Sequence, residues 1–199
     1  MGICMTKERA ESAREFESIK SFSSSKKNKD LNEDDFGLYI KKHAQLWSML
    51  AVNLGLDENY CRDIAVKTAF SLVGWSGDED GGMSPEMFHK FRMEYIEDPR
   101  GSLEFFQRTV FQVFDKDNNG KLDLEELDSF VDVFYSCDSI FAGDSRLPKD
   151  KKDLVKIIAE KFDTNNDSFL DFDEIRIVIA GKANLSINKD NVNIDIDQV

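Results

Sequence analysis

The segment Asp115-Lys-Asp117-Asn-Asn119-Gly120-Lys121-Leu122-Asp123-Leu-Glu-Glu126 constrains this chain more than any other. Side-chain oxygens fall at loop positions one, three, five, nine and twelve, with Gly at position six and a branched apolar residue at position eight. A hard cation such as Ca2+ takes about six to eight oxygens in a flexible cage, and alternate positions of a tight loop can aim at one point. Glu126, arriving from a following helix, can bind with both oxygens, and Gly120 allows the sharp turn. The same template returns at Asp163-Thr-Asn165-Asn-Asp167-Ser168-Phe169-Leu170-Asp171-Phe-Asp-Glu174. Ser168 replaces the glycine there, and a non-glycine residue at positive φ costs roughly 1–2 kcal/mol. Each loop offers four carboxylates and one amide. Lys121 and Phe169, at position seven, would contribute only backbone carbonyls.

Helical patterns flank both loops. Phe105, Phe106, Thr109, Val110, Val113 and Phe114 recur at helical spacing before the first, with Ser102 as the expected N-cap. Leu127, Phe130, Val131 and Phe134 continue the stripe after it. Leu154, Ile157, Ile158 and Phe162 precede the second loop, Ile175, Val178 and Ile179 follow it, and Gly181 is a helix stop. One helix–loop–helix cannot cover its own apolar face, so the two should pair. Leu122 and Leu170 would then face each other in a short antiparallel ladder.

These residues resemble the EF-hand superfamily. The resemblance implies an all-α fold of paired EF-hands in two lobes, with short β ladders between paired loops, and implies Ca2+ at two sites. The expected ligands are Asp115, Asp117, Asn119, Lys121, Asp123 and Glu126, then Asp163, Asn165, Asp167, Phe169, Asp171 and Glu174. Such hands come in even numbers, so a second pair should lie nearer the N-terminus. At Ser76–Met87 the template half survives through Asp78, Asp80, Gly81 and Met83, but Ser76 and Met87 remove two carboxylates. A fourth loop aligns at Ser24–Asp35 with Leu31 at position eight, and Lys26 at a ligand position would repel a cation. The rival reading of that stretch is a Ser/Lys-rich linker. The expected layout is an arm at 1–23, a lobe of two degenerate hands at 24–98, a Ca2+-binding lobe at 99–181 and a polar tail at 182–199. It resembles the sarcoplasmic calcium-binding protein and calexcitin branch, where long helices such as Phe36–Gly55 are usual. The Ca2+-and-integrin-binding and calcineurin-B-like proteins also keep mainly their last two loops. From Ser76 to Asp115 to Asp163 the last three loops start 39 and then 48 residues apart, the longer of these gaps holding a polar insertion at Cys137–Asp150.

Composition narrows the function. The 199 residues carry a net charge of −13, with 41% apolar residues and 16 Phe, so a real core is expected. The acid excess argues against a nucleic-acid partner. No apolar run reaches membrane-spanning length, and no secretory h-region follows Met1. Cys4, Cys61 and Cys137 form neither a disulfide framework nor a zinc site, which points to a reducing compartment. Residues 1–29 have a surplus of three positive charges, leaving −16 for the rest. Met1-Gly-Ile-Cys-Met-Thr-Lys7 fits the N-myristoylation pattern on Gly2, and one such chain anchors only marginally. Cys4 could carry a palmitoyl group, and the basic arm could meet anionic lipid.

His43 and His89 lack a nucleophile at catalytic spacing, and Gly74, Gly77, Gly81 and Gly82 lack the ending of a phosphate loop. Trp47 and Trp75 read as core. A non-enzymatic protein is expected. The reading is a cytoplasmic, lipid-anchored Ca2+ sensor, peripheral at a membrane, that passes the signal to a target protein helix. The alternative is a soluble Ca2+ buffer of the sarcoplasmic type.

Overall fold

Helix starts leave backbone N–H groups without intrahelical acceptors, and among the described residues a side-chain oxygen meets most of them. In the computed structural model, residues 6–22, 30–43, 56–75, 82–136, 151–179, 183–188 and 191–196 are described here. Helix α1 (Lys7–Ser21) is capped by Thr6, and α2 (Glu33–His43) by Asn32, which accepts from the Asp35 N–H at 2.8 Å. Asp57 caps α3 (Glu58–Leu72), and Ser84 caps α4 (Pro85–Phe91). A π turn, Arg92–Glu97, leads to α5 (Pro99–Phe114). Helix α5 therefore begins three residues before Ser102, the expected cap. Pro99 takes the first helical position, where its missing N–H costs nothing. Asp98 is the cap, accepting from the Gly101 N–H at 3.0 Å. Strand β1 (Lys121–Leu122), α6 (Leu124–Ser136), α7 (Lys151–Phe162), β2 (Leu170–Asp171) and α8 (Phe172–Ile179) follow.

The all-α expectation holds, with its short ladder. β1 pairs antiparallel with β2, setting Leu122 opposite Leu170 and Lys121 opposite Asp171. The segment read as a polar tail holds a hairpin, β3 (Ala183–Asn188) with β4 (Asn191–Ile196). Its register sets Leu185 opposite Ile194 and Ile187 opposite Val192. The alternation of apolar and polar residues there is a strand signal that overall polarity masks.

Two compact units result: residues 1–51 with 57–106, and residues 52–56 with 107–199. The first is built on aromatic rings. Phe36 lies 5.3–6.5 Å, centroid to centroid, from Tyr39, Phe70, Phe88 and Phe91. Phe16 of α1 meets Phe88 edge-on at 5.7 Å, and Phe105 meets Phe91 in the same way. Burial, and then the charge of Glu15, push the Tyr39 phenol well above its usual range. Trp75 packs on Phe70 at the margin of this core. Phe22 lies just past the end of α1 and is exposed. His89 Nδ1 lies 2.9 Å from the hydroxyl of buried Ser12, and that hydroxyl accepts from the Arg92 guanidinium at 3.1 Å.

Position eight of the two ligand-poor loop templates meets in one backbone contact within this unit. Leu31 and Met83 form an isolated antiparallel bridge, with N–H to carbonyl distances of 3.0 and 2.8 Å. Gly82 permits the approach, since a Cβ there would collide with the Leu31 carbonyl.

In the second unit the apolar stripes become the core. Thr109, Val110, Val113, Phe114, Leu122, Leu127, Phe130 and Val131 are buried with Leu154, Ile158, Phe162, Leu170, Ile175, Val178 and Ile179. Phe106 and Ile157 are only half-buried. Residues 44–55 of the expected Phe36–Gly55 helix, with Trp47, the first half of loops 24–35 and 76–87, and Cys137–Asp150 lie outside the described residues.

Candidate metal centre

Helix α5 delivers Asp115 to the start of the first loop, where its N–H still completes the helix on Phe111. Its side chain is 1% exposed, and both carboxylate oxygens accept backbone N–H bonds, from Asn119 at 3.0 Å and Gly120 at 2.9 Å. Asp117 accepts from the Asn119 N–H at 3.0 Å and side-chain amide at 2.8 Å. Asn119 accepts from the Lys121 N–H at 2.8 Å. Left-handed backbone at Asn118 (φ 57°) and Gly120 (φ 81°) turns successive N–H groups inward. Asp123 and Glu126 form a reciprocal cap on α6, with N–H to carboxylate distances of 2.9 and 3.1 Å. The other Glu126 oxygen accepts from the Lys116 N–H at 2.7 Å, tying the last loop residue to the second.

The second loop repeats this framework position for position. Asp163 accepts from the N–H groups of Asp167 (3.1 Å) and Ser168 (2.9 Å). Asn165 accepts from Asp167, and Asp167 from Phe169, each at 2.9 Å. Glu174 accepts from Thr164 and Asp171, while Asp171 caps the Glu174 N–H. Ser168 takes the left-handed conformation of the glycine it replaces, at φ 68°.

In the first loop, one carboxylate oxygen from each of Asp115, Asp117 and Glu126 lies within 4.8 Å of the others. Packing three negative groups so closely is costly unless a cation is shared among them. Burial above all, and the neighbouring charges of Glu126 and Asp117, hold the Asp115 carboxyl above its usual range despite its two N–H bonds. Burial also pushes Glu174 upward, but the N–H bonds from Asp171 and Thr164 bring it below its usual range. Every donor is oxygen, with no sulfur or imidazole, which fits a hard divalent ion. Lone pairs not engaged by the amides remain for that ion.

The second loop differs in two respects. Among the described residues no second trio of carboxylates comes so close, and Asp167 bonds the Lys121 ammonium at 2.6 Å. That bond, ahead of burial, holds the Asp167 carboxyl below its usual range and raises Lys121. The loop template assigns Lys121 a backbone role only. Its ammonium contact exists only across the β1–β2 pairing, which spacing within one loop does not encode. Gly2 and Cys4 lie outside the described residues. No helix among the described residues is long and apolar enough to cross a membrane.

No curated protein matches the chain. Residues 106–179 match the family model of an EF-hand domain pair, a family whose loops bind Ca2+. The match spans both acidic loops, the ladder between them and, from residue 106 on, the helices around them, so this segment is similar to an EF-hand pair.

Proposed function

We propose that the chain binds two Ca2+ ions and acts as a sensor. Asp115, Asp117, Asn119, the Lys121 carbonyl, Asp123 and Glu126 would hold one ion. Asp163, Asn165, Asp167, the Phe169 carbonyl, Asp171 and Glu174 would hold the other. The observation that carries this is the duplicated hydrogen-bond framework: each backbone amide that steadies the opening aspartate of one loop has its counterpart in the other. Bound Ca2+ supplies positive charge, moving the net charge from −13 toward −9 and relieving repulsion between the clustered carboxylates.

Glu126 and Glu174 each lie in the first turn of the helix leaving a loop. A shift of either carboxylate toward the loop centre carries its helix with it. In a sensor such a shift opens an apolar groove for a partner helix. The Leu31–Met83 bridge supports reading residues 24–98 as a lobe of two degenerate hands, a ligand-poor scaffold before the Ca2+-binding lobe at 99–181. That order of loops suits the sarcoplasmic calcium-binding protein and calexcitin branch. The motif around Gly2, the neighbouring Cys4 and the basic surplus support an acyl anchor at a membrane surface.

Calorimetric titration tests the reading. Wild-type protein should take up about two Ca2+, and Glu126→Gln about one, held by the second loop; unchanged stoichiometry in the variant contradicts the ligand assignment. A hydrophobic dye should gain fluorescence on Ca2+ addition. No gain would leave the pair a buffer.

A further inference from the structure

Lys121 belongs to one loop and touches the other. Its carbonyl sits at position seven of the first loop, and its Nζ reaches Asp167 Oδ2 at 2.6 Å, at position five of the second. The ammonium also lies 5.6 Å from the centroid of the Phe169 ring. Asp167 Oδ1 accepts from the Phe169 N–H at 2.9 Å, so both oxygens of this candidate ligand are engaged, one of them by a side-chain cation. The reverse arrangement does not occur. The residue matching Lys121 in the second loop is Phe169, which has no charge to offer Asn119.

We propose that Lys121 is a tethered counter-cation of the second loop, which must leave Asp167 before a divalent ion can use that carboxylate fully. This rests on the two-site reading above. The consequence is asymmetry between loops of nearly equal ligand content. The second binds more weakly than its own oxygens would allow, because an ion entering it competes with an ammonium covalently held nearby. It also links the sites, since the residue that obstructs the second loop lends its backbone to the first. The side chains of Lys121 and Asp167 are 44% and 31% exposed, so the obstruction is screened by salt and limited in size.

The test isolates the second loop in a Glu126→Gln background and titrates Ca2+ by calorimetry in three proteins: that variant alone, and that variant carrying K121Q or K121R in addition. K121Q should tighten second-loop binding by about three- to tenfold at low ionic strength, the scale of one charge beside a divalent ion. The gain should shrink in about 0.5 M KCl, where the screening length falls to a few ångströms. K121R, which keeps a cation, should return the weaker affinity. Equal or weaker binding by K121Q overturns the role of Lys121 while leaving two-site binding intact. No binding with either Lys121 or K121Q overturns the two-site reading, and this inference with it. A gain that K121R fails to reverse shows that side-chain shape rather than charge is responsible, and likewise overturns it.

Discussion

Ser168 and Gly120 occupy the same loop position with similar backbone, φ 68° and 81°, and each donates its N–H to the aspartate that opens its loop. Only the glycine adopts that conformation without strain. Ser168 retains it because the bond to Asp163 and the turn of the loop fix the backbone on both sides. Ser168→Gly should therefore raise stability by about 0.5–1 kcal/mol, the relieved strain less the extra freedom glycine has when unfolded. Gly120→Ser should lower it by a similar amount. Urea midpoints read both changes, and a fall with Ser168→Gly would show that the serine is unstrained.

Among the elements, the junction before α5 sets two helix arguments against each other. Replacing a helical glycine with alanine ordinarily adds about 1 kcal/mol of stability. At Gly101, however, an added Cβ would run into the carbonyl of Glu94 in the π turn, and backbone cannot step aside as a side-chain tip can. Packing should win: Gly101→Ala is expected to cost about 1–3 kcal/mol despite its better propensity. Thermal melting of the metal-free protein should show a lower midpoint. A higher one would mean that the π turn and α5 are not this close. The same contrast explains the helix start, since Pro99 and Gly101 look like helix breakers in sequence but act as first-turn residues beneath the Asp98 cap.

For the whole molecule, charge is the dominant quantity. At −13 the chain repels itself, and the trio of Asp115, Asp117 and Glu126 concentrates that repulsion in one place. Saturating Ca2+ should raise the melting temperature, because an ion bound only by the folded state adds about 2.7 kcal/mol at a hundredfold excess over its dissociation constant. Chelation should reverse the rise. A melting temperature indifferent to millimolar Ca2+ would contradict binding in the folded protein. Monovalent salt should also stabilise the metal-free protein, though less, because it screens the charges without bridging them.

The acidic loops, their flanking helices and the Leu122–Leu170 ladder are legible in the sequence because ligand spacing and apolar periodicity are local properties, fixed by the geometry of one loop and one helix turn. Leu31 and Met83 stand at position eight of the two ligand-poor loop templates read from the sequence, and the bridge joins those two residues. Three features are settled only by tertiary structure. The ring cluster around Phe36 needs side chains from helices far apart in sequence. The Ser12–His89–Arg92 contact joins residues 77 and 80 positions apart. The Lys121–Asp167 pair spans 46 positions and depends on how one short strand aligns with another. Local spacing determines which atoms could hold an ion; the pairing of the loops decides which of them are already held by something else.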